Sequence, residues 1–250
     1  MSLDNLKIDS DVVTTNPDVI SGSGYIMDTN LYPMIVDMAY MEKSASGAEA
    51  LKFHLKMADG SPQTSRQTFW VASGDKKGNK NFFIAKDKSK RLLPGMIQGD
   101  QLTHITCNKC LADMIEEDKT IKLWNRDSQS EENTTVRALT EMLDKPVLVG
   151  MLKVRDNKVI RNSNGGYDKI ADDRFFNEAD KLFFPNGLTV TESVAGETEP
   201  KFRERWISRF PEGFIMDRYE EVTGSQPDLP DVESPASAGT GSLFAKPEEE

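Results

Sequence analysis

The chain has 250 residues with a formal net charge of −10, 37% hydrophobic residues and only two cysteines. It contains no apolar run of membrane-spanning length, and its start, MSLDNLKIDSD, is neither basic nor apolar, which argues against a membrane span and a secretory signal. Two cysteines make no disulfide framework, so a reduced, cytoplasmic protein is expected.

The charge is unevenly spread. Residues 216–250 hold nine acidic residues against Arg218 and Lys246, which leaves the rest of the chain at −3. Between Arg66 and Gly95 the balance reverses, with eight Lys or Arg against Asp75 and Asp87. Charges beyond a Debye length of about 8–10 Å are largely screened, so a local basic patch governs close encounters whatever the total.

In chain order, residues 1–30 read as an irregular N-terminal arm. Tyr32–Tyr40 is expected to be a strand, followed by a turn through MEKSASGAE. Ala50–Ala58 alternates, with Leu51, Phe53, Leu55 and Met57 on one face, the two-residue period of a strand. Asp59-Gly60-Ser61-Pro62 is a turn and Gln67–Ala72 a third strand. A Gly-containing loop, Ser73–Asn79, then leads to Asn81–Ala85, expected to return as that strand's hairpin partner. Ile97 to Ile115 carries imperfect helical spacing, and Thr120–Trp124 is short and strand-like. Thr134–Leu143 reads as a helix opened by Thr134. Pro146–Val154 has the composition of a buried strand, and Lys158–Tyr167 either pairs with it or loops. Phe202, Trp206, Ile207 and Phe210 recur at three- and four-residue spacing, as in a helix docked on a body. Past Thr223 the Pro, Ser, Gly, Asp and Glu content predicts disorder. The pattern predicts a mainly β chain with helices (α+β), in the order of a five-stranded oligonucleotide-binding (OB) barrel. The expected body is 31–215, followed by an acidic tail at 216–250.

Three constellations carry chemistry. In the basic stretch, Lys76, Lys77, Lys80, Lys86, Lys88, Lys90 and Arg91 are candidates for phosphate contact. Trp70, Phe82 and Phe83 are candidates for stacking on bases, with Trp124 and Tyr167 as further rings. Cations follow the phosphates of a single strand while rings stack on its splayed bases. The plainer alternative is that Phe69, Phe82 and one more ring are core and the lysines only solubilise a hairpin. In the tail, Leu243 and Phe244 sit among Asp228, Asp231, Glu233, Glu248, Glu249 and Glu250, an apolar anchor in an acidic segment suited to a basic partner groove. Finally, Cys107 and Cys110 lie near His104. A zinc site would need these three and the distant His54 to converge, so reduced cysteines and no metal are expected. No nucleophile elbow, phosphate-binding glycine loop or carboxylate cluster stands out, so no enzymatic activity and no cofactor are expected.

The segment Ser73-Gly74-Asp75-Lys76-Lys77-Gly78-Asn79, followed by Leu93-Pro94-Gly95, resembles the replicative single-stranded DNA-binding proteins of tailed bacteriophages. Leu148–Lys158, Asn177-Glu178-Ala179-Asp180-Lys181 with its following Phe, and the Trp206 segment extend the resemblance over about residues 31–210. It implies an OB-type body that coats single-stranded DNA in replication, recombination and repair in the host cytoplasm. It also implies an acidic tail that recruits a DNA polymerase, a helicase-primase or an RNA polymerase, and allows a homo-oligomer. Tails of that family commonly end in an aromatic residue, whereas here Ala245-Lys246-Pro247 and three Glu follow Phe244. The alternative is an adaptor, linked to transcription for example, that uses the same barrel surface to grip a protein partner.

Overall fold

The computed structural model describes residues 26–125, 128–162 and 166–222. The chain is mainly β, with few helices. By internal contacts the described residues divide into two units, one comprising those up to Val154 together with Phe176–Met216, the other those within Arg155–Phe175 and 217–222.

The first unit is built on three long antiparallel strands, β1 (Asn30–Lys43), β2 (Glu49–Met57) and β3 (Thr64–Ala72). Strict alternation in β3 buries Ser65, Gln67, Phe69 and Val71 and leaves Arg66, Thr68 and Trp70 outside. On β2, Leu51, Phe53 and Leu55 enter the core, as their spacing predicts, while Met57 is half-buried at its margin. Full burial of each such side chain contributes about 1.5–3 kcal/mol. The body starts earlier than the sequence suggests: Met27 and Thr29 are buried, and Met27 exchanges hydrogen bonds with the Asn177 amide.

Beyond β3, the short strands β4 (Phe82–Ile84) and β5 (Lys90–Leu92) form a separate two-stranded arm. The expectation that 81–85 pairs with 67–72 is therefore wrong. The intervening Lys86-Asp87-Lys88-Ser89 closes its own tight turn, with Lys88 in the left-handed region and the Asp87 carboxylate accepting from the Ser89 amide and hydroxyl. Pro94 then occupies the first turn of α1 (Pro94–Cys107), where its missing N–H costs nothing. The helix stops at Asn108, in the left-handed conformation, well short of Ile115.

The predicted helix over 134–143 is also overturned. β6 (Glu117–Asn125) pairs along its whole length with β7 (Ser130–Ala138), and only a single 3-10 turn follows at Thr140–Met142. Thr134, Thr135 and Val136 are β-branched and pack better on a pleated ladder than in a helix. One face of this hairpin, through Ile121, Leu123 and Val136, packs on Tyr40 and Met38 and makes a small second core over the outer side of β1.

β8 (Pro146–Arg161) and β9 (Tyr167–Phe183) are long paired strands that pass through both units. Lys158–Arg161 thus extends a strand instead of looping, and Arg174–Phe183 is strand as well. The short α2 (Val190–Val194) opens on a reciprocal Thr189–Glu192 capping box. α3 (Lys201–Arg209) is the docked helix its spacing predicts. Trp206 is buried, its indole N–H donates to Asp180 at 2.7 Å, and its ring lies where a Cβ at Gly150 would stand. β10 (Ile215–Asp217) pairs with β8.

The sheet runs β10-β8-β1-β2-β3 and does not close into a barrel by backbone pairing. Between β3 and β9, whose apolar residues share the main core, one buried side chain makes a polar link. The Gln67 amide donates to the Asn177 carbonyl at 3.1 Å and accepts from the Ala179 N–H at 3.1 Å. A single primary amide thereby mimics one rung of a ladder and satisfies two backbone groups that burial would otherwise orphan.

The second unit contains the far ends of β8 and β9 and residues 217–222. Arg155 pairs with Asp173 and Asp217 and lies 4.6 Å from the Tyr219 ring centre. Asn157, fully buried, donates to the Ile170 and Glu220 carbonyls. The first residues of the segment expected to be an acidic tail, 217–222, are therefore held in place. Residues 223–250 lie outside the described residues, and with them Asp228, Asp231, Glu233, Leu243, Phe244, Glu248, Glu249 and Glu250.

Candidate nucleic-acid interface

Trp70 is the centre of the site. It lies on the outer face of β3 because alternation sends Phe69 and Val71 inward. Its indole is half-exposed and borders a cleft of about 430 Å³ shared with Ala48, Ala72, Leu93, Lys76 and Lys77. Two close approaches shape this cleft. Gly95, at the start of α1, lies so near the Trp70 backbone that an added Cβ would meet its carbonyl oxygen at 2.3 Å. Gly74 lies against the Ser46 carbonyl, and the Asp75 amide donates to that same carbonyl at 2.9 Å. The Ser73–Asn79 loop is thus fastened to the β1–β2 turn, and a 3-10 turn at Asp75–Lys77 presents both lysines to solvent. The result is an apolar slot with an indole wall and an ammonium rim.

The arm carries the remaining cations. Lys80 and Lys90 place their ammonium groups 5.7 and 5.1 Å from the Phe82 ring centre, so Phe82 serves as a cation–π platform more than as an open face. Phe83 is exposed on the same strand. Lys86 and Lys88 stand exposed around the turn. Arg91 is engaged differently from the lysines: its guanidinium bonds Asp87 at 2.7 Å. The Asp87 carboxyl is held below its ordinary value, first by the Ser89 hydroxyl and amide and then by Arg91. Among the described residues, Lys76, Lys77, Lys80, Lys86, Lys88 and Lys90 form no ion pair.

The other candidate residues do not all join this group. Trp124 is exposed near the tip of the β6–β7 hairpin, on the face opposite Ile121 and Leu123. Tyr167 is exposed in the second unit. Phe69, the ring weighed as core, is core and packs on Phe53 at 4.8 Å. The possible metal ligands do not gather. Cys107 donates its thiol to the Glu141 carbonyl, Cys110 is exposed, and His54 is on the outer face of β2. Among the described residues no three His, Cys, Asp or Glu side chains are placed to share a metal. Nor is any helix among them long and apolar enough to cross a membrane.

Reading along the chain missed two residues of this surface. Arg66 is on the same face of β3 as Trp70, and His54 is its direct cross-strand partner on β2. Both had a signal, the alternation of β3 and of β2, but their juxtaposition depends on the register between strands. Comparison with protein-family models, curated proteins and solved structures gave no match.

Proposed function

We propose that this chain is a non-enzymatic, largely sequence-independent single-stranded DNA-binding protein that coats DNA during replication, recombination and repair. The observation that carries the reading is the half-exposed Trp70 indole in an apolar slot rimmed by Lys76 and Lys77, with six lysines unopposed by described carboxylates. A base stacked on the indole gains about 1–3 kcal/mol whatever its identity, since every base has a π face. The lysines supply the sequence-independent term through release of counterions from phosphates. We read the open sheet, bridged at Gln67, as an OB-type body, a fold class suited to presenting such a groove. The resemblance to bacteriophage proteins supports the same reading and assigns the acidic tail to replication or transcription partners.

The rival reading, a protein-binding adaptor, draws on one feature: Ile84 and Leu92 stand exposed on the arm at 65% and 47%. Competition binding separates the two. A labelled oligo-dT should bind and be displaced by unlabelled single strand far better than by duplex of equal length. Equal displacement by duplex, or no binding at low salt, would leave the adaptor reading standing.

A further inference from the structure

A second group of side chains lies farther along the outer face of β3. Trp70 and Arg66 are four residues apart on one face, about 13 Å at the strand rise. Arg66 is exposed and, among the described residues, has no acidic partner. Directly opposite on β2 is His54, half-buried, and its ring meets the Tyr40 ring edge-on at 6.3 Å. Tyr40 is fixed beneath the β6–β7 hairpin by Val136, Ile121 and Leu123. The neighbouring carboxylates are already engaged. On β1, Glu42 pairs with Lys52 at 2.6 Å and Asp37 with Lys56 at 3.0 Å. On the hairpin, Glu117 pairs with Lys119 at 2.9 Å, and Glu132 accepts from Ser128 and Asn125. What remains is a guanidinium beside an imidazole and a phenol, with Asp37 and Lys52 as the other charges that bear on His54 and Glu42 on Tyr40, these carboxylates being paired to lysines.

We infer that this group is a phosphate subsite: a strand stacked on Trp70 continues along β3 and seats a backbone phosphate between Arg66 and His54, taking up a proton on His54 as it binds. The inference rests on the proposed function and adds a path and a linkage to it. In the free protein, burial and then the Arg66 charge, with a smaller push from Lys52 against a smaller pull from Asp37, hold His54 below its ordinary value, so the ring is neutral near neutral pH. A phosphate beside Arg66 cancels that repulsion and favours imidazolium, raising the value in the complex. The extra affinity is thus fully present below the free-protein value and is lost as pH rises through the complexed one.

The chain has only two histidines, which makes the test clean. Affinity for a short oligo-dT, whose bases do not titrate in this range, is measured at constant ionic strength from about pH 5.5 to about pH 7.5, spanning the ordinary histidine value near 6.5. Proton uptake is followed by calorimetry in buffers of different ionisation enthalpy. Wild type should bind about 3- to 10-fold tighter at the acid end, consistent with a shift of up to about one unit at a single site. His54→Gln should abolish both the gain and the proton uptake, while His104→Gln keeps them. Arg66→Gln should weaken binding at every pH and shrink the gain. Binding with no pH dependence, or a gain that survives His54→Gln, overturns the subsite and leaves the DNA-binding reading intact. Absence of binding at any pH overturns both.

Discussion

Removing the two lysines that rim the Trp70 slot has a calculable effect on salt dependence. Six lysines around the slot and arm, Lys76, Lys77, Lys80, Lys86, Lys88 and Lys90, have no carboxylate partner among the described residues. If each meets one phosphate of a single strand, the slope of log affinity against log salt is about −4.2, from about 0.7 counterions released per contact. A fourfold rise in salt, from about 50 to about 200 mM, then weakens binding about 300-fold. In Lys76→Ala/Lys77→Ala the slope should fall to about −2.8 and the loss over the same range to about 50-fold. Both side chains are exposed and make no ion pair with described residues, so thermal unfolding should be unchanged. The assay is fluorescence anisotropy of labelled oligo-dT over a salt series. An unchanged slope in the double variant, with affinity lost or not, would refute the assignment of these lysines to phosphates.

Three further outcomes follow from the same geometry. Trp70→Ala should cost about 1–3 kcal/mol of binding through lost stacking, with Trp70→Phe recovering part of it, and equal affinities for the two variants would argue against stacking. Gln67→Leu leaves the Asn177 carbonyl and Ala179 N–H buried without their partner, at about 1–3 kcal/mol for each group. Urea unfolding should show a drop of that order, and a neutral result would mean the β3–β9 link is not structural. Gly95→Ala places a Cβ 2.3 Å from the Trp70 carbonyl oxygen and 2.6 Å from its amide nitrogen, which forces α1 away from β3. It should lower both the melting temperature and DNA affinity, and a variant with normal values of both would show that the slot tolerates that shift.

Much of the fold was legible because apolar alternation is a local signal. Leu51, Phe53 and Leu55 on β2, and Phe69 against Trp70 on β3, could be assigned to faces from spacing alone. The misread segments are those where local chemistry admits two structures. Thr134 after acidic residues looks like a helix cap, yet β6 offers a full-length partner and the tertiary ladder prevails over local preference. Asn81–Ala85 has strand composition, but nothing in those residues reveals that Asp87 and Ser89 close a private turn instead of returning the chain to β3. The site was half legible for a similar reason. The lysines and Trp70 are close in sequence, whereas Arg66, His54 and Tyr40 come from three strands and meet only through register. Gln67 is the extreme case: as one polar residue in an alternating strand it gives no hint that it joins β3 to β9.

The central claim is that single-stranded DNA stacks on Trp70. Of the three tryptophans, Trp206 is buried and bonded to Asp180, whereas Trp70 and Trp124 are exposed at 48% and 59%. Intrinsic fluorescence should therefore contain a blue, protected component and a red, accessible one. Titration with oligo-dT at low salt is predicted to quench the red component, with duplex DNA giving little change and added salt reversing the effect. Trp70→Phe should remove most of the quench, while Trp124→Phe should leave most of it. No quench in wild type, or one undiminished in Trp70→Phe, would contradict the account.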